Sequence, residues 1–449
     1  MTTLSTRSCV LFKASVVALA VASASSAYSA GFALNDHSTT ASGTALAGAA
    51  ASGEDISFSY WNPALFLNAK KNTFYVSGAY VMPKMDVTNI QAKDAAPALV
   101  GGPTNLATSS ASNSNSVDNA LIPAFYYAMP LSEDTVAGVS LNAPFGLSGD
   151  YGNTWPGRFH ATETSLKDIA LAFSVAHKVN DWFSAGASVQ VHRAHVVLAS
   201  AVGTANPNAG GEGLGKIKAA ATGYGFSLGV LMEPIKGTRI GIGYRSKVKF
   251  DFKGGVKYDN VAGVNQGLAK LGAGYQLVNT SAEDSLKFPD VLTISLDQTL
   301  TNKLRLGLSA IHTGWSSMKD GLNIKFGSNQ PNSVLTFGFD DEWMYSAGLT
   351  YDYSEAWTLR TGIAMDNTPV TDKYRSARTP DGNRKWYSVG ATYHIDESSS
   401  ASFAYTYVAI ENVSVNRDGT LPEDRSRGSY SADYDSSANV VSLAYTKAF

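Results

Sequence analysis

Seven histidines, His37, His160, His177, His192, His195, His312 and His394, are the side chains in this sequence best suited to move a proton or hold a metal near neutral pH. They form no recognisable constellation. His192 and His195 stand three apart in a strand-like pattern, which turns them to opposite faces. No Gly-x-Ser-x-Gly elbow sits at a strand-to-helix turn to supply a nucleophile. Cys9 is the single cysteine and lies near the N-terminus, so neither a thiolate metal site nor a disulfide can form in the rest of the chain. The sequence therefore offers no catalytic residues, no metal ligands and no cofactor motif. What it does offer is anion recognition. Arg239, Arg245, Lys247, Lys249, Arg305 and Arg360 occupy alternate positions opposite apolar faces, where a cation can neutralise a carboxylate through a charge-assisted hydrogen bond. Asp251, Asp297 and Asp366 share that register and are equally able to pair with them.

The elements that carry these residues are strands. In "RIGIGYRSKVKFDFK", Ile240, Ile242, Tyr244, Val248, Phe250 and Phe252 share one face of a period-2 pattern, and Arg239, Gly241, Gly243, Arg245, Lys247, Lys249 and Asp251 share the other. "DIALAFSVAH", "TGYGFSLGVLM" and "WTLRTGIAM" alternate in the same way. Tight polar turns ("LSED", "KVND", "EPIKGT", "LTNK", "DYSEA", "HIDESS") alternate with long connections such as residues 83 to 120, 253 to 287 and 414 to 435. Short turns on one side and long loops on the other are the pattern of an all-β transmembrane antiparallel barrel, here of about fourteen strands over residues 71–449. Tyr126, Tyr127, Trp182, Trp343, Trp357 and Trp386 fall near strand ends, where a membrane barrel places its aromatic belts.

Arg7 and Lys13 precede the apolar stretch "ASVVALAVA", and "SASSAYSA" follows it, so residues 1–29 read as an export signal cut after Ser29, with Ala27 and Ala30 as alternatives. Beyond it no run of about 18 apolar residues could span a membrane as a helix. Charged residues make up 16% and the net charge is -2, without the basic excess expected of a nucleic-acid partner. Residues 30–70 are small and polar without strand alternation, which predicts a plug inside the lumen, with a short helix around Ala45 to Ala51. "SLNAPFGL" is the discordant piece of the third strand. Pro144 lacks a ladder donor and Gly146 permits a bulge, so the wall is expected to bend or open there.

"AGFALNDHSTTASGTALAGAAASGEDISFSYWNPALF", with Asn62-Pro63-Ala64 inside it, resembles the N-terminal hatch of the FadL family, outer-membrane transporters of long-chain fatty acids and other hydrophobic molecules. "SLNAPFGL", "YRSKVKFDFKG", "WTLRTGIAMDNTPV" and the terminal aromatic are similar to that family's wall segments. The resemblance implies a fourteen-stranded barrel closed by a hatch. It implies a gap at Asn142, Pro144, Phe145 and Gly146, and cargo that passes from extracellular loops to a pocket above the hatch and out sideways. Arg245 and Arg360 are the preferred carboxylate contacts. Phe32 stands as either a contact to the apolar chain or a plug residue packed on the wall, and Asn62-Pro63-Ala64 is expected to back onto the gap.

The expected partners are a hydrophobic small molecule, outer-membrane lipid, and the barrel-assembly machinery through Phe449. No nucleic acid and no cofactor is expected, and the chain is expected to be a monomer in a Gram-negative outer membrane. Uptake of aromatic hydrocarbons and diffusion of polar solutes through a porin are the alternative functions, and the basic register favours carboxylates.

Overall fold

The computed structural model describes residues 31–95, 104–106, 113–114 and 116–449, so the expected export signal of residues 1–29 lies outside the described residues. Fourteen antiparallel strands form a closed wall. In chain order they are β1 (Thr73–Lys93), β2 (Ala120–Pro130), β3 in two halves (Thr135–Asn142 and Gly146–Asp150), β4 (Glu163–Lys178) and β5 (Phe183–Gly203). Next come β6 (Glu212–Ile235), β7 in two halves (Thr238–Arg245 and Val248–Asp259), β8 in two halves (Thr280–Phe288 and Val291–Thr301) and β9 (Leu304–Thr313). The last are β10 (Glu342–Asp352), β11 (Trp357–Asp366), β12 (Arg384–Asp396), β13 (Ser399–Ile410) and β14 (Ser429–Ala448). β14 pairs with β1 from Ala448 opposite Thr73 to Ser429 opposite Lys93, which removes the free edges that hydrocarbon cannot satisfy. The end with short turns is called lower here, and the end with long connections upper.

β1, β6, β8 and β14 run further into the upper connections than the sequence pattern predicts, because those extensions lie beyond the lipid and lack its apolar signature. Along the lower part of the wall, apolar residues such as Val175, Val189, Leu228, Ile363 and Leu443 are exposed outward, as lipid contact requires. Higher up the pattern inverts. β7 breaks at Ser246, whose backbone N–H donates to the Phe226 carbonyl at 2.9 Å and whose hydroxyl accepts from the Phe226 N–H at 2.9 Å. That extra residue is a β-bulge, and it turns Val248, Phe250 and Phe252 inward and Lys247 and Lys249 outward. β8 breaks at Pro289 and Asp290 with the same result for Leu286 and Phe288. The two lysines expected in the lumen are therefore on the outer surface. Two aromatic residues expected at the lipid boundary, Tyr126 and Trp386, are instead buried inward, whereas Trp182 and Trp357 are exposed at the lower end.

Residues 31–69 lie inside this wall. The α-helical turn is Thr39–Ser42, capped by Ser38, and 3-10 turns follow at Ile56–Tyr60 and Pro63–Asn68. The helix expected around Ala45 to Ala51 is replaced by tight turns with Ala45 and Leu46 at φ of 51° and 67°. The segment docks by its backbone onto small inward residues. Gly186, Gly229 and Gly243 stand directly opposite one another on β5, β6 and β7, and Gly307, Gly348 and Gly362 do so on β9, β10 and β11. A Cβ on Gly243 would lie 1.8 Å from the Trp61 carbonyl oxygen, and one on Gly362 would lie 2.0 Å from that of Thr44. Ser309 and Ser295 accept from the N–H groups of Ala49 and Ala50 at 3.1 and 3.0 Å.

Gly243→Val should therefore undock the segment while leaving the wall closed. Proteolysis within residues 31–69 should accelerate several-fold in a barrel that still resists SDS at room temperature, and unchanged protection would sink this account of the glycines.

Candidate functional site

The third strand fails where Pro144 interrupts it. The lower half of β3 pairs with β2 from Pro130 opposite Val136 up to Phe125 opposite Leu141. Above that point, residues 120–124 of β2 keep their partners on β1 and have none on β3. The upper half of β3 pairs with β4 alone among the wall strands, with its register shifted by one residue. Its other edge is served near the break from inside the barrel and at its upper end by Ser116, whose carbonyl accepts from Asp150 N–H at 2.9 Å. Leu34 N–H donates to the Pro144 carbonyl at 2.8 Å, Gly146 N–H donates to the Phe32 carbonyl at 2.9 Å, and Ala33 stands opposite Phe145. The N-terminal segment is thus the missing ladder neighbour of the bent strand, which answers where the orphaned backbone groups go. Asn142, buried below the break, donates from Nδ2 to the Tyr126 hydroxyl at 2.7 Å. The break starts immediately above Leu141 and its cross-strand partner Leu171, at the upper margin of the outward apolar band.

Phe32 continues from this short ladder into an aromatic septum. Its ring lies 4.9 Å from Trp315, 5.7 Å from Phe288 and 6.2 Å from Phe145, centroid to centroid, mostly edge to face. Above it is a chamber of about 790 Å³ walled by Phe32, Leu166, Phe252, Leu286, Phe288 and Phe337. The bulges in β7 and β8 supply three of those walls. On the other side, a cavity of about 720 Å³ is lined by Leu34, Pro144, Phe145, Arg245, Trp343 and Asp366, so it backs directly onto the break.

Arg245 lines the second cavity. Its guanidinium lies 3.6 Å from the centre of the Tyr60 ring, and Nη2 donates to the Tyr60 carbonyl at 2.6 Å. Arg360 is brought elsewhere: Nε donates to Glu54 at 2.8 Å, a second contact from Nη2 reaches the same carboxylate, and Nη1 donates to Thr392 at 2.8 Å. Arg305 also reaches Glu54, at 3.7 Å, and Arg239 donates to Asn68. These cations fasten the inner segment. Burial would raise the Glu54 carboxyl, and Arg360 and Arg305 reverse that and hold it below the usual range. Asn62-Pro63-Ala64 does not back onto the break. Asn62 caps the 3-10 turn through Ala64 N–H, and its Nδ2 donates to the carbonyls of Ala50 and Val230 at 2.7 and 2.9 Å, against Gly186, Gly229 and Gly243.

Sequence pattern did not single out Arg378, which reaches the upper chamber from residues 367–383. Nη1 donates to the Glu163 carbonyl at 2.9 Å and to Thr164 at 2.7 Å, and Nη2 donates to the Ala199 carbonyl at 2.8 Å. No carboxylate among the described residues lies within 4.0 Å of it. Burial, with the Arg427 charge nearby, pushes its guanidinium down to about 9, as befits a cation without a counter-charge. "RSARTPDG" has no periodicity from which a face could be assigned, so no signal in the sequence marks this residue. His192 is buried against Asp168 at 2.9 Å and Gln190, and His195 is exposed, on opposite faces of β5.

A family model described as outer membrane protein transport protein (OMPP1/FadL/TodX) matches residues 20–449. The long-chain fatty acid transport protein of Escherichia coli O6:H1 is 28% identical, covering 98% of this chain and 99% of that one. Outer membrane protein P1 of Haemophilus influenzae is 30% identical, covering 98% of each. Among solved structures, a Pseudomonas aeruginosa FadL homologue superposes with a TM-score of 0.82 at 26% identity, covering 94% of this chain and 100% of its own. The Pseudomonas putida toluene transporter TodX gives 0.67 at 16% identity over 94% of this chain and 100% of its own, a likeness of fold alone.

Asp36, two residues beyond Leu34, is 6% exposed, and burial pushes its carboxyl up to about 6 against a hydrogen bond from Ser42. A raised carboxyl favours the docked segment below its unfolded value of 3.8, and that contribution of about 3 kcal/mol is lost as pH rises through about 6. Protection of residues 31–69 from protease should decline over this window in the wild type and stay level in Asp36→Asn.

Proposed function

This chain belongs to the outer-membrane transport family of OMPP1, FadL and TodX, and on that premise we propose that it takes up long-chain fatty acids, releasing them sideways through the break in β3. One observation carries the choice of cargo: the chamber above Phe32 is apolar and has Arg378, a cation with no carboxylate partner among the described residues, behind its wall. Relatives named long-chain fatty acid transport protein support the same reading.

The physical sequence starts at the upper connections. The alkyl tail leaves water for the chamber, which is favourable by roughly 0.8 kcal/mol per methylene buried. The carboxylate takes charge-assisted hydrogen bonds from Arg378, worth roughly 1.5–3 kcal/mol. Phe32 meets the tail at the septum. Passage onward requires the Phe32–Leu34 ladder to separate from Pro144 and Gly146, which joins the chamber to the cavity beside Arg245. The cargo then faces the unpaired edge of residues 120–124 and the lipid outside Leu171. Residues 30–70 act as the hatch that denies water and ions a straight path, and residues 1–29 as the export signal. Phe449, whose N–H donates to the Asn72 carbonyl at 2.9 Å, is the end read by the assembly machinery, and the protein works as a monomer. No step calls on the histidines for catalysis.

Uptake of labelled oleate and of toluene by cells with and without the protein tests this reading, and equal oleate uptake in both strains would refute it. Pro144→Val/Gly146→Val should slow oleate uptake about ten-fold in a barrel that still folds. Arg378→Gln should lower oleate uptake by roughly ten-fold or more, from the lost charge-assisted bonds, and leave toluene uptake unchanged.

A further inference from the structure

Above the apolar band, the outer face of β4 to β8 carries a field of cations. Lys167, Arg193, Lys218, Lys253, Lys257 and Lys287 point outward there, and among the described residues none has a carboxylate within 4.0 Å. Two pairs of like charge stand directly opposite across neighbouring strands, Lys249 with Lys287 and Lys257 with Lys216. Such pairs are destabilising unless an anion lies between them. The carboxylates on this face are fewer than the cations. Each pair has one, Glu163 on Lys216 and Asp251 on Lys249 at 2.9 Å, which leaves Lys257 and Lys287 without one; Glu283 sits opposite Lys253 and beside Lys325, and Asp259 ends β7.

The height of the field is defined by its neighbours. Directly below it, Leu171, Val191 and Tyr224 form one outward cross-strand row, all exposed. Lys167 lies eleven positions above Lys178 at the inner end of β4, close to the roughly 9–11 residues a tilted strand needs to cross hydrocarbon. The cations thus stand where the headgroups of the outer leaflet lie. The opposite side of the barrel at this height has the other sign: Asp86 stands opposite Asp435, with Asp433 and Glu411 nearby. A general solubilising surface would not be divided in this way.

We propose that the outer face of β4 to β8 binds the phosphate groups of a phosphorylated lipid of the outer leaflet. Basic residues at a membrane surface attract anionic headgroups, and several lysines on adjacent strands, spaced by the sheet, match a headgroup bearing more than one phosphate. This assignment is independent of the cargo.

The test uses full-length barrel purified in neutral detergent and incubated with bisphosphorylated lipid A, its dephosphorylated form, or inorganic phosphate. The wild type should retain the bisphosphorylated lipid and lose it as salt rises. Lys167→Gln/Lys218→Gln/Lys253→Gln/Lys287→Gln should retain about ten-fold less or lower still, whereas Lys84→Gln/Lys385→Gln, on the acidic side, should match the wild type. Resistance to SDS at room temperature verifies that each variant is folded. Equal retention by the quadruple variant, or equal retention of the dephosphorylated lipid, overturns the proposal. Full displacement of the lipid by a modest excess of inorganic phosphate overturns it too, by assigning the face to the free ion.

Discussion

Every backbone N–H and C=O in a wall bordering hydrocarbon must find a partner within the protein, and the rest of this structure follows from that requirement. It forces the sheet to close, β14 onto β1. It also sets the terms on which the wall can open. The strand broken by Pro144 is not left with bare edges, since residues 32–34 supply the bonds that β2 no longer makes. The inner segment therefore meets the broken strand with the same kind of interaction that holds the wall together, through a ladder of two backbone hydrogen bonds.

The inner segment is positioned by two means that divide the work. Glycines on β5 to β7 and β9 to β11 let its backbone approach the wall more closely than any Cβ would allow, which fixes its depth. Arg305 and Arg360 converge on Glu54, which fixes its orientation. Both lie low in the barrel, away from Phe32. The anchored part can stay in place while the first residues move, as the proposed sideways release requires of this short stretch of chain.

The strands were legible because a lipid-facing strand must alternate, and the bend at Pro144 was legible because proline cannot serve a ladder. The interior was harder to read. Val248, Phe250 and Phe252 resume the period of Ile240, Ile242 and Tyr244 with Ser246 as the one polar residue between, too slight a break to announce the bulge that turns them to the other face. The same bulge carried Lys247 and Lys249 from the expected lumen to the outside. Tyr126 and Trp386 look like belt residues by type and place, yet they serve the inner segment, because the belt and the lumen alternate along one strand. Asn62-Pro63-Ala64 was visible as a motif, but its glycine partners lie more than a hundred residues away. Arg378 had no pattern around it at all.

The docking of residues 31–69 also bears on how the molecule is made. Gly31 N–H donates to Asp381 across a separation of 350 residues, and the glycines that receive the segment span most of the chain between β5 and β12. This early part of the polypeptide thus has no completed binding site until nearly the last strand exists. Contacts of such long range are slow to form because the chain entropy of closing them must be overcome first. The segment must wait as an unstructured tether or serve as the form around which successive strands are laid. In either case the inner segment reaches its final place late in folding, although it is among the first parts of the chain to be made.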